Sequence, residues 1–208
     1  GLRVTGSEIV GLVPKDAIIS CGKYYLQKQK SSIAIPQKDI IEVAIHSLGL
    51  NDLSKFDYKK SIVEEALFDQ TSLAYDTVFD FLNETSRKSP TPGGGCVSAL
   101  AGALSASLVS MVVNFSDPLK NLQNNGFKAQ ILKDDLLSLI QRDADAFSIV
   151  MDAFSMLKKT KSDKTKRENA IQEAYKKAIE PPLEMLLKVN ALLKIIKAIY
   201  KDINKNCQ

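Results

Sequence analysis

Apolar positions along this chain recur mainly at helical spacing, and groups of turn residues separate the recurring stretches. We predict a turn and a short strand over residues 1–13, and a polar linker over residues 158–166. Gly49 ends one apolar stretch, and Pro181-Pro182 kinks or restarts another. Because nothing after residue 13 alternates with a period of two, the expected fold is mostly α, a helical bundle. The predicted helices cover residues 16–29, 37–48, 59–67, 73–87, 96–115, 132–157, 167–180 and 183–203.

No charged residue occurs from residue 89 to residue 116, and apolar positions in this segment recur at spacings of 4, 3, 4, 3 and 4. These positions are Val97, Ala101, Leu104, Leu108, Met111 and Phe115. We expect them to form a buried stripe on a helix that lies centrally in a bundle or at a subunit interface. A membrane span is the structural alternative, because roughly 20 apolar residues cross a bilayer. Five serines and the Pro/Gly-rich entry weaken that alternative.

A glycine-rich loop, residues 89–95, leads into this helix and contains Gly93-Gly94-Gly95. Uncovered backbone N–H groups at a helix N-terminus attract anions, so the glycines could hold an anionic or polar ligand group. The loop is neither a Walker loop nor a dinucleotide fingerprint, because no Gly-Lys-Ser/Thr follows it and no strand precedes it. A tight loop between packed helices stays open as the alternative.

A carboxylate interrupts the apolar stripe of the predicted helix 132–157. Asp143 falls on that stripe, between Ile140 and Phe147. Burial disfavours the charged form of a carboxyl group and favours proton exchange near neutral pH, so Asp143 is a candidate acid–base residue. A structural aspartate that pairs with a lysine or caps a helix is the alternative. The apolar members of the stripe are Leu132, Leu136, Ile140, Phe147, Val150 and Phe154.

Composition and charge narrow the function classes. Hydrophobic residues make up 45% of the chain and charged residues 25%, with a net charge of +4, which is too small for a nucleic-acid-binding surface but compatible with an anionic small ligand. Cys21, Cys96 and Cys207 lack metal-ligand spacing, so we expect neither a metal site nor a disulfide framework. A thiol at a helix start can have a lowered pKa, but no base lies near Cys96 in sequence to make it a nucleophile. The basic run 158–167 fits a solvated linker, with attraction of an acidic ligand tail as the alternative.

Several short motifs of the chain resemble, in the same order, those of the formiminotetrahydrofolate cyclodeaminases. They are Asp80-Phe81-Leu82, Pro92-Gly93-Gly94-Gly95, Ser98-Ala99, Ala101-Gly102-Ala103-Leu104, Ser110-Met111-Val112, Asp143-Ala144-Asp145-Ala146-Phe147 and Met151-Asp152-Ala153-Phe154. The segment from Val4 to Pro14 resembles the end of the glutamate formiminotransferase domain. These two domains are fused in bifunctional formiminotransferase-cyclodeaminases, so two independent motif sets indicate the same family.

The resemblance implies a cyclodeaminase-like helical bundle that closes 5-formiminotetrahydrofolate to 5,10-methenyltetrahydrofolate and releases ammonia, in histidine degradation and one-carbon metabolism. The family's catalytic aspartate matches Asp143, and tetrahydrofolate is the substrate carrier, with no metal. Methenyltetrahydrofolate cyclohydrolases resemble the same domain, so that activity is one alternative and a non-catalytic folate-binding or assembly module is another. The implied substrate-binding residues are Pro92, Gly93, Gly94, Gly95, Ser98, Asn114 and Lys120.

The resemblance also implies an organisation of the chain. Residues 1–32 are expected to be a C-terminal remnant of the formiminotransferase domain, with a short strand and a helix, residues 33–71 a helical linker, and residues 72–208 the cyclodeaminase domain. We expect no formimino transfer by this chain alone, and further helices of the bundle beyond Gln208. The expected partners are a folate derivative, with or without a polyglutamate tail, and further copies of the chain in a homodimer or larger homo-oligomer. We expect no nucleic-acid partner, no membrane span and a cytoplasmic location.

Overall fold

The computed structural model describes residues 6–67, 72–116 and 122–207. These ranges contain eight α-helices and no β-strand, which confirms the predicted mostly-α fold class. The chain divides into two compact units: unit 1 comprises residues 1–70, 110–130 and 201–208, and unit 2 comprises residues 71–109 and 131–200. The helices are α1 (Lys15–Lys28), α2 (Gln37–Leu48), α3 (Tyr58–Ser61), α4 (Val63–Ala66), α5 (Val78–Thr85), α6 (Gly94–Asn114), α7 (Gln123–Ser155) and α8 (Lys161–Ile199).

The short strand predicted before Pro14 is wrong over its described part. Residues 6–12 form no strand, and Val13 makes only an isolated parallel bridge with Ile62. Val10 is 91% exposed, so the apolar residues of this segment have no sheet partner to cover them. Residues 1–5 of the prediction lie outside the described residues.

Two predicted helices are present as shorter pieces. The predicted helix 59–67 is split into α3 and α4, because Ile62 between them is extended, with ψ 125°, and fully buried. The predicted helix 73–87 consists of a single 3₁₀ turn, Leu73–Tyr75, followed by α5. The Thr77 side chain caps α5 by accepting a hydrogen bond from the Asp80 N–H, which explains why the longer helix begins there.

Two other helices are longer than the sequence pattern predicted. Helix α7 begins at Gln123 instead of residue 132, and α8 continues through Pro181-Pro182, so the predicted restart at the prolines is wrong. Most of the predicted polar linker 158–166 is the first part of α8. Thr160 and Asp163 form a capping box there, in which each side chain accepts a hydrogen bond from the other residue's N–H. This local signal fixes the helix start in a highly charged stretch.

Unit 1 has its core between α1 and α2, two helices that approach each other closely. A Cβ built on Gly22 of α1 would lie 2.2 Å from the carbonyl oxygen of Ile40 in α2. Helix α2 ends at Gly49 in the left-handed conformation, φ 62°, as predicted. The buried core residues of this unit are Ile18, Ile19, Leu26, Ile33, Ile40, Ile41, Ala44, Ile45, Leu50 and Ile62.

The connection between α1 and α2 is held by the parts of α6 and α7 that belong to unit 1. The Ala34 carbonyl accepts hydrogen bonds from Asn114 Nδ2 at 2.6 Å and from Ser110 Oγ at 3.1 Å. Gly126 lies against the same residue, since a Cβ built on it would be 2.3 Å from the Ala34 Cβ. The segment around Ala34 is therefore fixed by polar contacts and by close packing together.

Unit 2 is a helical bundle in which the small side chains of α6 face the large side chains of α7. Ala99 and Ala103 are buried against Leu136, Leu139 and Ile140. Gly102 of α6 lies against Leu136 of α7, whereas Gly95, earlier in α6, lies against Asp143, later in α7. The two helices therefore run antiparallel. Helix α8 joins through buried Met185, and Phe81 of α5 completes this core.

The stripe predicted to be buried on α6 is exposed, so this prediction is wrong for the single chain. Leu104 and Leu108 are 58% and 57% exposed, and Phe115 is 67% exposed. The buried face consists instead of Cys96, Ala99, Ala103, Ala106, Val109 and Val113. The small residues of α6 are buried because they let α7 pack closely against the helix. The spacing of the large residues does not reveal this preference.

Candidate active site

The candidate site is built around the first turn of α6 and the loop before it. The chain turns into the helix at Pro92-Gly93, with Pro92 buried and the Gly93 carbonyl accepting the Val97 N–H at 3.1 Å. Helix geometry leaves the N–H groups of Gly94, Gly95 and Cys96 without partners inside the helix. These groups form the positive end of the helix dipole, so this turn favours a negatively charged neighbour.

Asp143 of α7 is that neighbour. A Cβ built on Gly95 would lie 2.2 Å from both carboxylate oxygens of Asp143, so the carboxylate occupies the space that any side chain at residue 95 would need. The antiparallel packing of α6 and α7 brings these two residues together, because Ile140, one turn before Asp143, packs beside Cys96. The sequence-predicted Gly95 and Asp143 are therefore in direct contact.

Asp143 is half-buried and forms no ion pair with a lysine or arginine in the described ranges 6–67, 72–116 and 122–207. The neighbouring Arg142 pairs with Glu184 at 2.7 Å, and the neighbouring Asp145 accepts a hydrogen bond from Gln141 at 2.8 Å. Pairing with a lysine, one form of the structural alternative, therefore has no support in this part of the chain, whereas a helix-capping aspartate would also lie beside the first turn of α6. Asp143 instead accepts a hydrogen bond from Cys96, whose Sγ lies 3.5 Å from Asp143 Oδ2.

The Cys96 thiol is fully buried, and its pKa moves in the direction opposite to the one expected at a helix start. Burial, together with the adjacent charge of Asp143 and the hydrogen bond to it, raises the pKa of Cys96 to about 11. The thiol stays protonated at neutral pH and acts as a hydrogen-bond donor. The conclusion that Cys96 is not a nucleophile agrees with this geometry, in which the thiol is buried and its neighbouring carboxylate comes from a residue distant in sequence.

The apolar stripe that drew attention to Asp143 is only partly the buried face of α7. Leu136 and Ile140 are fully buried, as predicted, but Phe147 and Phe154 are 40% and 42% exposed. Leu139, Ala144 and Ala153 complete the buried face in their place. Asp143 thus lies at the edge of the packed face of α7, where a carboxylate keeps access to its surroundings.

The other predicted substrate-binding residues fall into three groups. Gly94 and Ser98 are exposed at the start of α6, where Ser98 Oγ donates to the Gly94 carbonyl at 2.7 Å. Asn114 belongs to unit 1, and both ends of its amide are used there, since it accepts from Ser32 Oγ at 2.5 Å and donates to the Ala34 carbonyl. Lys120 lies outside the described residues.

Two features of the site were not recognised in the sequence. The sequence pattern does not reveal that the lack of a side chain at Gly95 makes room for Asp143, and the ligand contact expected at Gly95 stays a prediction. Cys96 was set aside, although its place in the first turn of an uncharged helix was the one signal available. Within the described residues, no group of three or more His, Cys, Asp or Glu side chains is arranged to hold a metal ion.

The fold and site define a mostly helical protein in which a carboxylate from one helix lies against the glycine-rich first turn of its neighbour. A family model described as formiminotransferase-cyclodeaminase matches residues 77–208, and a model described as formiminotransferase domain matches residues 1–67. The chain belongs to the formiminotransferase-cyclodeaminase family.

Similarity to curated proteins agrees with this membership. The formimidoyltransferase-cyclodeaminase of Gallus gallus is 31% identical over 217 residues, which cover 100% of this chain and 40% of that protein. The protein of the same name from Dictyostelium discoideum is 42% identical over 114 residues, covering 53% of this chain and 21% of that protein. The methenyltetrahydrofolate cyclohydrolase of Methylorubrum extorquens is 37% identical over 115 residues, covering 52% of this chain and 55% of that protein. This chain thus spans less than half the length of the two cyclodeaminase relatives.

Proposed function

We propose that this chain carries formiminotetrahydrofolate cyclodeaminase activity and that Asp143 moves the protons of the reaction. The observation that carries the proposal is the position of the Asp143 carboxylate, held against Gly95 and Cys96 at the start of α6 with no cation paired to it in the described ranges. A carboxylate that a salt bridge does not occupy can exchange a proton with a substrate. Family membership supports the same reaction class.

The proposed reaction needs one group that first accepts and then donates a proton. N10 of 5-formiminotetrahydrofolate attacks the carbon of the protonated formimino group, whose C=N bond becomes single, and the new N10–C bond gives a tetrahedral intermediate with an amino group. Asp143 takes the proton from N10 and delivers it to the amino group. The C–N bond to that amine then breaks, ammonia leaves, and the 5,10-methenyl ring remains. Tetrahydrofolate is the proposed substrate carrier, without a metal, as the family resemblance implies.

The test follows methenyltetrahydrofolate absorbance and ammonia release together after 5-formiminotetrahydrofolate is added to the full chain. Asp143→Asn keeps the shape of the side chain and removes its acid–base function, so turnover should fall by at least about 100-fold, as expected for general acid–base catalysis. Asp145→Asn is the matched control, because Asp145 lies two residues away and is bonded to Gln141. Full turnover by a folded Asp143→Asn protein would exclude the assignment.

Methenyltetrahydrofolate cyclohydrolase is the second candidate function, because a protein of that name is 37% identical over 52% of this chain. The formiminotransferase match over residues 1–67 favours the deaminase, since that domain supplies a formimino group to tetrahydrofolate. Ring opening of methenyltetrahydrofolate without use of the formimino substrate would support the hydrolase. Tight folate binding with neither activity would support the third possibility, a non-catalytic binding or assembly module.

We further propose that the substrate binds beside the first turn of α6. Pro92, Gly93, Gly94, Gly95 and Ser98 are the proposed contacts, and the open space next to Gly94 supports backbone approach by a ligand. Asn114 and Lys120 are proposed contacts on the family resemblance alone. The ligand is a folate derivative, with or without a polyglutamate tail.

The proposed domain organisation assigns residues 1–32 to a formiminotransferase remnant, 33–71 to a helical linker and 72–208 to the cyclodeaminase domain. The family matches, which end at residue 67 and begin again at residue 77, support a change of domain near residue 71. Packing follows a different division, since residues 110–130 belong to the same compact unit as residues 1–70.

We propose that copies of this chain associate through the uncharged, exposed face of α6. Val97, Leu104 and Leu108 are exposed there, and Leu183, Leu186, Leu187 and Leu193 are exposed on α8. Exposed apolar residues in such numbers are typical of an association surface. Sedimentation of the full chain should show a dimer or larger oligomer, and the Leu104→Asp variant should sediment with a lower oligomeric mass. A wild-type monomer at micromolar concentration would contradict the proposal.

Helix α6 is also the one helix in the described ranges that is long and apolar enough to cross a membrane, judged by length and composition. We propose that it is a protein-packing helix and that the chain works in the cytoplasm. The buried face that α6 presents to α7 supports its role as a packing helix, and 39% of its most apolar 18-residue stretch is buried inside the chain. Partitioning of the full chain into detergent or vesicles, with no oligomer in buffer, would favour the membrane alternative.

A further inference from the structure

We propose that Cys96 is a positioning residue for Asp143: its S–H group donates to Oδ2 and holds the carboxylate in place, which leaves Oδ1 to exchange the proton with the substrate. This inference rests on the proposed role of Asp143. The thiol would act in the site as a hydrogen-bond donor, and not as a nucleophile or a metal ligand.

The geometry places the thiol at the turn of α7 that carries Asp143. Cys96 Sγ lies 3.5 Å from Asp143 Oδ2 and 3.3 Å from the carbonyl oxygen of Ile140, one turn earlier. Both distances suit a sulfur donor, so the single thiol proton can be shared between two acceptors of the same helix. The contact therefore fixes both the side chain and the backbone from which it projects.

Asp143 accepts no other hydrogen bond from residues 6–67, 72–116 or 122–207. Cys96 thus positions the Asp143 carboxylate on one side. The backbone of Gly95 limits the carboxylate on the other side, since a Cβ on Gly95 would overlap both of its oxygens. Oδ1 keeps its hydrogen-bonding capacity for a ligand. A carboxylate in a single orientation places a proton accurately, and a misplacement of about 1 Å can cost about 100-fold in rate.

The thiol is suited to this task because it stays a donor. It is fully buried, surrounded by Ala99, Ile140 and Ala144, and these apolar neighbours together with the charge of Asp143 keep it protonated. A group that lost its proton here would repel the carboxylate. The same burial shields the thiol from solutes, so it is not available as a nucleophile for a folate.

The kinetic test compares three substitutions in the full chain. Cys96→Ser keeps a donor, Cys96→Val keeps apolar volume without a donor, and Cys96→Ala keeps neither. Positioning predicts that the valine and alanine variants both lose about 10-fold in kcat with KM nearly unchanged, and that the serine variant retains most of the wild-type kcat. A purely structural role predicts the reverse order, with valine close to wild type. Wild-type kcat in Cys96→Val, at matched folded content by circular dichroism, overturns the proposal.

A second measurement does not depend on turnover, so it separates failure of this inference from failure of the proposed function. In a Cys21→Ser/Cys207→Ser background, the infrared S–H stretching band reports Cys96 alone. The hydrogen bond to a carboxylate lowers the frequency of that band, so Asp143→Ala should raise it. A band that does not move in Asp143→Ala shows that the thiol does not donate to Asp143, whatever the activity of the chain. If the band moves but the wild-type chain has no turnover, the contact stands and the proposed function fails.

Discussion

Two glycines in this chain permit close approaches of very different kinds. Gly22 in unit 1 lets α1 lie against the backbone of Ile40, whereas Gly95 in unit 2 lets the carboxylate of Asp143 lie against the start of α6. A built Cβ would be 2.2 Å from the nearest atom in both cases. The atoms met differ, however: a carbonyl fixed in a helix at Gly22, and the movable end of a side chain at Gly95. The same steric conflict should therefore cost stability in one unit and activity in the other.

The largest effect is expected from Gly95→Ala. The new methyl group displaces the Asp143 carboxylate, which can rotate away at little cost to folding, so kcat should fall by about 100-fold while the urea midpoint changes little. Turnover with 5-formiminotetrahydrofolate and urea denaturation followed by circular dichroism check the two halves of this expectation. Near-wild-type kcat in a folded Gly95→Ala protein would show that catalysis does not depend on the position of the Asp143 carboxylate against Gly95.

Gly22→Ala is the structural counterpart. Its methyl group meets the carbonyl oxygen and the Cγ2 of Ile40, and the backbone can yield only if α1 and α2 separate. Overpacking costs about 1–3 kcal/mol. The gain in helix propensity from glycine to alanine, at most about 1 kcal/mol, offsets part of that cost. Because the atom met is a carbonyl oxygen fixed in a helix, the upper end of the overpacking range applies, and we expect a net loss of about 2 kcal/mol in the free energy of unfolding with an unchanged kcat per folded molecule. An unchanged urea midpoint would contradict the close packing of α1 and α2.

Local signals explain which parts of the fold the sequence predicted well. The boundaries of α2 follow from Pro36 and Gly49, each a strong local marker, and they match the prediction. The start of α8 was missed, because the capping residues Thr160 and Asp163 lie inside a lysine-rich stretch typical of a linker. The exposed stripe of α6 was placed inside for a different reason. Periodicity finds a helix face but does not tell which of two apolar faces packs within the chain.

Local sequence patterns also predicted part of the candidate site. A carboxylate at an apolar position drew attention to Asp143, and the glycine loop drew attention to Gly95, each from its own local pattern. Their contact depends on the antiparallel register of α6 and α7, which tertiary packing decides. The contact between Cys96 and Asp143 could not be predicted for that reason, since the two residues lie 47 positions apart in sequence.

Gly126→Ala tests a third close approach, between α7 and the segment around Ala34. The added methyl group would lie 2.3 Å from the Ala34 Cβ and 2.9 Å from Val113 Cγ1. Val113 can change its rotamer, but the Ala34 Cβ moves only with its backbone. We expect a loss of about 2 kcal/mol, comparable to that at Gly22, because the Ala34 Cβ can yield only if the backbone of its segment moves. Hydrogen exchange should rise in residues 31–35, and a protection pattern equal to the wild type would argue against this packing.

Gly94→Ala should stabilise the chain slightly, and it sharpens the contrast with Gly95. A Cβ on Gly94 meets no atom within 4 Å, and alanine is the better helix former, so the chain should gain about 0.5–1 kcal/mol. The space that is open at Gly94 is the space that the proposed ligand would use. If the folate approaches this backbone, KM should rise severalfold while kcat changes little, because the methyl group obstructs binding and leaves Asp143 in place. An unchanged KM would show that the substrate approaches from elsewhere, and Gly95 would then serve the site only through Asp143.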